Sequence, residues 1–407
     1  MTERHEAPGI AEKRERLGDP EVRRWYDNLA RGSAITADNY LRSLFNFSRR
    51  VGTTPAAAAK YSEGKAHRTL LDYVSGEERR GIAGSAIQTY VKAVRSWLSF
   101  NGVKVERSVK IHDAGRTPTL ESEEVPTQDG LRRILLAANP RQRVAVALVA
   151  FSGVRLEVVG NYRGTDGLRV LDLPELEITG GKVSFTSLPA RVVVRPELSK
   201  TGRAYLSWIC SEGAGYIGAF LEQRMQSGEK LGPDSAVFAA RMGSSSKRFI
   251  KSSRVSMFMR QAIDRAGSDF RPYNLRCYFD TQMLLAESKG RVAHDYRVFW
   301  MGHTGSIENR YTTNKGRLPR ELIDDMRIAY KRCEPFLSTA QTHVGEDRVT
   351  STQALFLRFA GVSEVEIAKL DLASMTNDEI LKIAEKGRAV AEHTGRKPSQ
   401  RTVAVDR

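Results

Sequence analysis

Between Arg169 and Trp208 the hydrophobic pattern of the chain changes period, and that change limits the folds open to it. Short runs rich in β-branched and aromatic residues follow one another: LEIT, then VSFT after Gly180-Gly181, then RVVVR, then RAYLSWI after Thr201-Gly202. Runs of this length, punctuated by turn formers, predict a small antiparallel sheet with tight turns. On both sides the apolar residues recur at helical spacing, with helices expected at about 212–227, 253–266, 274–287, 292–301 and 318–337. One small sheet surrounded by helices is an α+β fold, mainly helical, and not a parallel βαβ series.

A chain of 407 residues is too long for one ordinary core, and the pattern divides it. After a flexible N-terminus (1–20), residues 21–105 read as a helical domain. One helix beginning near Thr36 turns Tyr40, Leu41, Leu44 and Phe45 inward and leaves Arg42, Arg49 and Arg50 outside. In another, Ser85 is the expected cap, Ile87, Tyr90, Val91, Val94, Trp97 and Leu98 share one face, and Lys92 and Arg95 point elsewhere. Periodicity fails over 106–126, which reads as a linker. The α+β domain spans 127–338, with Thr127 expected to cap its first helix and Pro140 to open the second. A helical C-terminal extension follows over 339–390, where Thr376 and Glu379 match a capping box, and then a basic tail over 391–407.

Hydrophobic residues at 41% and charged residues at 28% exclude wholesale disorder, and no apolar run approaches membrane-spanning length. The charged N-terminus lacks the apolar core of a secretory signal, so a cytoplasmic protein is expected. Cys210, Cys277 and Cys333 are widely spaced and show no metal-ligand or disulfide pattern. With 64 Lys and Arg against 48 Asp and Glu, the net charge is +16, and such an excess favours a polyanionic partner, most often nucleic acid. The bases on the two N-terminal helices then become candidate DNA contacts, against the plain alternative of a solvated helix face.

Four local patterns occur in order in the second domain: SGVRLEVVG, LSKTGRAY, RPYNLRCYFDTQML and MGHTGSIENRY. Singly, each has an ordinary explanation, since SKTG suits any hairpin turn and a lone histidine is usually a cap or core residue. Together the set resembles the catalytic motifs of tyrosine recombinases, the phage-integrase type of DNA breaking and rejoining enzyme. The resemblance implies a first arginine at Arg155, a hairpin lysine at Lys200, a second arginine at Arg276 followed by Thr281, a histidine at His303 and a nucleophile at Tyr311. Three departures are visible. Tyr273 stands where the family's HxxR box has histidine, Val158 replaces the carboxylate after the first arginine, and the spacing from His303 to Tyr311 is one residue short. A substituted HxxR histidine is similar to what divergent members show, including integrases of archaeal mobile elements.

The chemistry asks for these residue types. A phosphodiester anion repels nucleophiles and gathers further charge in its transition state, and two always-protonated guanidinium groups can neutralise it without a metal. No cofactor is expected. A tyrosine hydroxyl, with an ordinary pKa near about 10, needs cationic neighbours to attack. Lys200 can protonate the departing 5′ oxygen, and His303 can hydrogen-bond the phosphate or assist proton movement at Tyr311. Tyr273 is either a packing residue, as Tyr278 and Tyr296 are expected to be, or a phosphate contact in place of the missing histidine; Arg310 is a DNA-backbone candidate. The resemblance further implies a two-domain clamp on double-stranded DNA with inverted core sites, a homo-oligomer acting as a tetramer, and integrated or excised DNA as product. The alternatives are a type IB topoisomerase-like relaxing enzyme and a DNA-binding protein with impaired catalysis.

Overall fold

Most helix starts in the N-terminal unit are written locally. The carboxylate of Asp19 accepts the N–H groups of Glu21 and Val22 and, with Pro20 in the first position, opens helix α2 (Pro20–Gly32) after the short α1 (Pro8–Arg16). Ser33, Thr54 and Ser62 do the same for α3 (Ala34–Arg50), α4 (Pro55–Ala58) and α5 (Glu63–Arg79). Helix α6 (Gly84–Phe100) is the exception: its N-cap is Ala83, no side chain caps it, and the expected cap Ser85 lies inside the helix. Its start is set by a close approach instead. A Cβ on Gly84 would stand 2.3 and 2.5 Å from the carbonyl oxygens of His112 and Asp113, so only glycine fits there. The computed structural model describes residues 8–117, 123–240, 249–303 and 318–340 and, further on, 353–354, 356–358, 360, 362, 364–367, 370 and 375–393.

Two apolar clusters hold these helices together. Val22, Trp25 and Tyr26 pack on Ala37, Leu41, Leu44 and Trp97, with the two indoles edge to face at 5.5 Å. Phe47, Leu70, Tyr73, Val74, Ile87, Val91, Val94 and Leu98 form the second. The first half of the expected linker is tied to this unit. Val109 and Ile111 pack against the second cluster, as Val103 and Val105 just before the linker do, and Glu78 accepts the backbone N–H of His112 at 2.8 Å.

The second unit is organised around α8 (Pro140–Ser152), which a reciprocal Asn139–Gln142 capping box starts and Gly153, at φ +63°, ends. Every residue from Val144 to Ser152 is buried, which marks a helix surrounded on all sides. Helices α7 (Gln128–Ala137, capped by Thr127), α10 (Ser211–Gln226), α11 (Ser252–Arg265) and α12 (Asn274–Ser288) enclose it. The short α9 (Leu156–Val159) follows the Gly153 turn, α13 (His294–Trp300) packs on α12, and α14 (Arg320–Leu337) closes the same side.

The fold is α+β and mainly helical, but its strands make two hairpins where one sheet was expected. β1 (Leu176–Thr179) pairs with β2 (Lys182–Phe185), and β3 (Ala190–Val194) with β4 (Tyr205–Ile209), both antiparallel. A carboxylate explains the break. Glu175 accepts the backbone N–H of Arg191 at 2.9 Å, satisfying with a side chain a strand-edge donor that a neighbouring strand would otherwise take.

Beyond α14, Glu212 receives the N–H groups of Thr339 and Ala340 and so anchors the chain's exit. The described part of the C-terminal extension has α15 (Glu364–Ile367), α16 (Asn377–His393) and a small core of Leu357, Ala360, Ile367, Ile380 and Ala384. Thr376 and Glu379 form the expected reciprocal cap. Among the described residues no helix is long and apolar enough to cross a membrane.

Candidate active site

The turn after α8 does two jobs at once. Gly153 adopts a left-handed conformation with its Cα against the Phe279 ring, where a Cβ would come within 2.3 Å, and two residues later Arg155 enters α9. The carbonyl of Gly153 accepts a hydrogen bond from Nη1 of Arg276, which projects from the first turn of α12. The second nitrogen of that guanidinium, Nη2, donates to the carbonyl of Met301 at 2.7 Å. The next carbonyl, that of Gly302, takes Nη1 of Arg155 at 3.5 Å. The SGVR and MGH segments thus supply backbone acceptors that aim both arginines at one place.

His303 joins them. Its Nε2 lies 3.3 Å from Nη2 of Arg276, and because a guanidinium only donates, Nε2 accepts and the ring is the neutral tautomer with its proton on Nδ1. The electrostatics agree, since partial burial first, and then the charges of Arg276 and Arg155, hold its pKa below the ordinary imidazole value. Arg276 is 2% exposed, and its own pKa is lowered by burial and by repulsion from Arg155. Among the described residues no carboxylate pairs with either guanidinium.

The other expected residues fall into three groups. Lys200 sits in the exposed turn joining β3 to β4, without a hydrogen bond or ion pair among the described residues, so the structure does not bring it into contact with the arginines. Tyr273 stands at the N-terminus of α12, 57% exposed, which corrects the packing alternative for it; the buried Tyr278 and the Tyr296 packed on Trp300 do serve the core. Val158, in the place of the family's carboxylate, is fully buried. Tyr311 and Arg310 lie outside the described residues.

The candidate DNA-contacting bases also divide. Arg42, Arg49 and Lys92 are exposed and, among the described residues, held only by neutral side chains, Asn39, Asn46 and Gln88. Arg50 instead faces the buried carboxylate of Glu77 at 3.6 Å, and the half-buried Arg95 donates to the Arg107 carbonyl at 2.8 Å. Both are committed to the fold, because partners lying off the helix surface claim them.

One side chain in the site escaped the sequence reading. Tyr205, the first residue of β4, carries its hydroxyl to the two arginines, and in the sequence it is only an aromatic position in an alternating strand. The signal that marks it is indirect: it lies a few residues beyond the basic LSKTGR turn, on the same hairpin as Lys200.

In structure, the chain is similar to XerA recombinase (15% identity, TM-score 0.33, covering 75% of this chain and 96% of that one). It is also similar to a lambda integrase (residues 75–356) dimer bound to a COC′ core site (17% identity, TM-score 0.41, 73% and 95%). A third similarity is to the integrase from mycobacterium phage Brujita (17% identity, TM-score 0.34, 78% and 93%). No protein-family model and no curated protein matches the chain.

Proposed function

We propose that this chain is a tyrosine recombinase that cleaves and rejoins DNA at specific sites through a covalent 3′-phosphotyrosine on Tyr311. The observation that carries the reading is the convergence of Arg155 and Arg276, from motifs far apart in sequence, on backbone carbonyls beside His303, with no carboxylate pairing either cation among the described residues. Two unneutralised guanidinium groups at one point are a site for a dianion-like transition state, and their forks match phosphate oxygens bidentately.

In this mechanism Arg155 and Arg276 clamp the scissile phosphate while Tyr311 attacks phosphorus and the 5′ oxygen leaves. Lys200, on its exposed hairpin turn, swings in to protonate that oxygen. His303, neutral with its proton on Nδ1, donates to a non-bridging oxygen or relays the Tyr311 proton. The phosphotyrosine ester retains the energy of the broken bond, so a second DNA hydroxyl can reverse the step without a nucleotide cofactor. Assembly as a tetramer on paired inverted sites, with integration or excision as outcome, follows from the same motif resemblance, and Arg42, Arg49, Lys92 and Arg310 serve as backbone contacts.

The test is covalent trapping on a pool of nicked duplexes of randomised sequence, followed by mass mapping of the nucleotide-bearing peptide. An adduct on Tyr311 through a 3′ phosphate, lost in Tyr311→Phe while DNA binding persists, is the expected result. No adduct, or one on another side chain, overturns the assignment. Relaxation of supercoils with no dependence on site would redirect it to a topoisomerase.

A further inference from the structure

The mechanism above leaves Tyr205 without a task. It opens β4 opposite Val194 and is 6% exposed. Its ring lies against the turn that carries His303: a Cβ on Gly302 would stand 2.5 Å from the Tyr205 Cζ, so glycine, at φ +60°, is what lets ring and turn meet. The hydroxyl oxygen is buried and makes no well-formed hydrogen bond among the described residues; Arg276 and Arg155 approach it as donors, and nothing there accepts its proton.

A buried hydroxyl without an acceptor is destabilising, and such groups are uncommon in folded proteins. The cations that act on this one are Arg276 and Arg155, and neither can take its proton, because a guanidinium has no acceptor atom. The nearby carbonyls of Gly153, Met301 and Gly302 already receive the arginines. Burial pushes the hydroxyl's pKa up by more than the two arginines pull it down, so it stays protonated and remains a donor. Three groups with N–H or O–H to give therefore share one corner, and what the corner lacks is an acceptor with several lone pairs.

We propose that Tyr205 belongs to the phosphate site, donating its hydroxyl proton to a non-bridging oxygen of the phosphate that Arg155 and Arg276 hold. The inference rests on the reading of this site as a phosphodiester site. Arg276 is as well covered as Tyr205, so whatever admits phosphate to that guanidinium admits it to the hydroxyl beside it. The contact also supplies a neutral donor where the motif lacks its usual histidine, a role for which Tyr273, exposed and one turn before Arg276, was the sequence candidate.

The test uses the full chain and Tyr205→Phe, which keeps the ring against Gly302 and removes one oxygen. Orthovanadate binding, read from the dose dependence of the thermal midpoint, should weaken about tenfold, as expected for loss of one hydrogen bond to a charged group, while the midpoint without vanadate stays the same or rises. Adduct formation on nicked duplexes should slow by a similar factor, with the adduct still on Tyr311. Equal vanadate affinity in the two proteins, or no vanadate binding by either, overturns the proposal; so does an adduct on Tyr205 itself, which would make it the nucleophile. Vanadate bound through Tyr205 by a wild-type protein that never forms a DNA adduct would sink the recombinase reading and leave this contact standing.

Discussion

Two sets of arginines in the α+β unit are treated in opposite ways. Near the hairpins, Arg195 pairs with Asp166 at 2.8 Å and with Asp172 at 3.1 Å, Arg191 and Arg327 share Glu175 at 2.6 Å each, and Arg224 meets Glu229 at 2.7 Å. At the end of α8, Arg155 and Arg276 donate, among the described residues, to neutral carbonyls and, from Arg276, to the His303 ring. The first set ends electrically satisfied inside the protein, whereas the second keeps its positive charge, and burial first and then repulsion from Arg155 lower the pKa of Arg276. Carbonyls fix a guanidinium's direction without cancelling its charge. That is the arrangement a site needs if its missing partner is an anion that arrives from outside.

The comparison breaks first at Glu175. Glu175→Ala should cost about 3–5 kcal/mol in chemical denaturation, because it leaves two guanidinium groups without their shared carboxylate, while adduct formation per folded molecule stays unchanged. A loss below about 1 kcal/mol would mean the paired set is not structural in the sense argued. Its pH dependence has a definite sign. Burial pushes the Glu175 carboxyl up, but hydrogen bonds from the Arg191 backbone, Arg327 and the Arg191 side chain outweigh it and the pKa falls below the ordinary carboxylate value. The stabilisation is therefore complete above that ordinary value and is lost as pH drops through the lowered one.

The site arginines should behave in reverse. Arg276→Ala or Arg155→Ala should slow cleavage by at least about a hundredfold, the cost of one strong transition-state donor. Arg155→Ala should leave the thermal midpoint near the parent's, since the hydrogen bond of that side chain to the Gly302 carbonyl is long, at 3.5 Å. Full cleavage by either variant would end the idea of a reserved charge.

How much of this was legible beforehand follows the range of the interactions. Caps are local, so Thr127, the Pro140 start and the Thr376–Glu379 box were readable. Ser85 misled because the start of α6 is set by carbonyls of residues 112 and 113, which no local rule anticipates. The four strand runs were visible, but their division into two hairpins depends on Glu175, whose partner Arg327 lies on α14. In the site, motif order named Arg155, Arg276 and His303. It named neither the carbonyls that orient them nor Tyr205, because a strand residue's exposure to a distant pair of arginines exists only in three dimensions.

The same distinction recurs on one helix turn of the N-terminal unit, where Arg49 and Arg50 are neighbours with different partners. Arg49→Ala should weaken DNA binding several-fold and reduce the slope of log affinity against log salt by about one, the mark of one lost phosphate contact. Arg50→Ala should leave that slope alone and lower stability instead. Equal slopes in both variants would erase the division between free and committed bases.

The smallest effect is the most direct reading of the reserved charge. Arg155 is among the causes that hold the His303 pKa down, after burial and Arg276. Replacing it by glutamine, which keeps a polar N–H but no charge, should move the His303 titration midpoint upward in an NMR experiment on the free protein. The same depression makes the folded protein bind its proton later than the unfolded chain, so the His303 contribution to stability diminishes as pH falls through the ordinary imidazole range and levels off below the folded midpoint. In Arg155→Gln that acid-side loss should shrink along with the shift. A midpoint that does not move would mean the guanidinium of Arg155 is already neutralised in solution, and the contrast between the two sets of arginines would lose its physical basis.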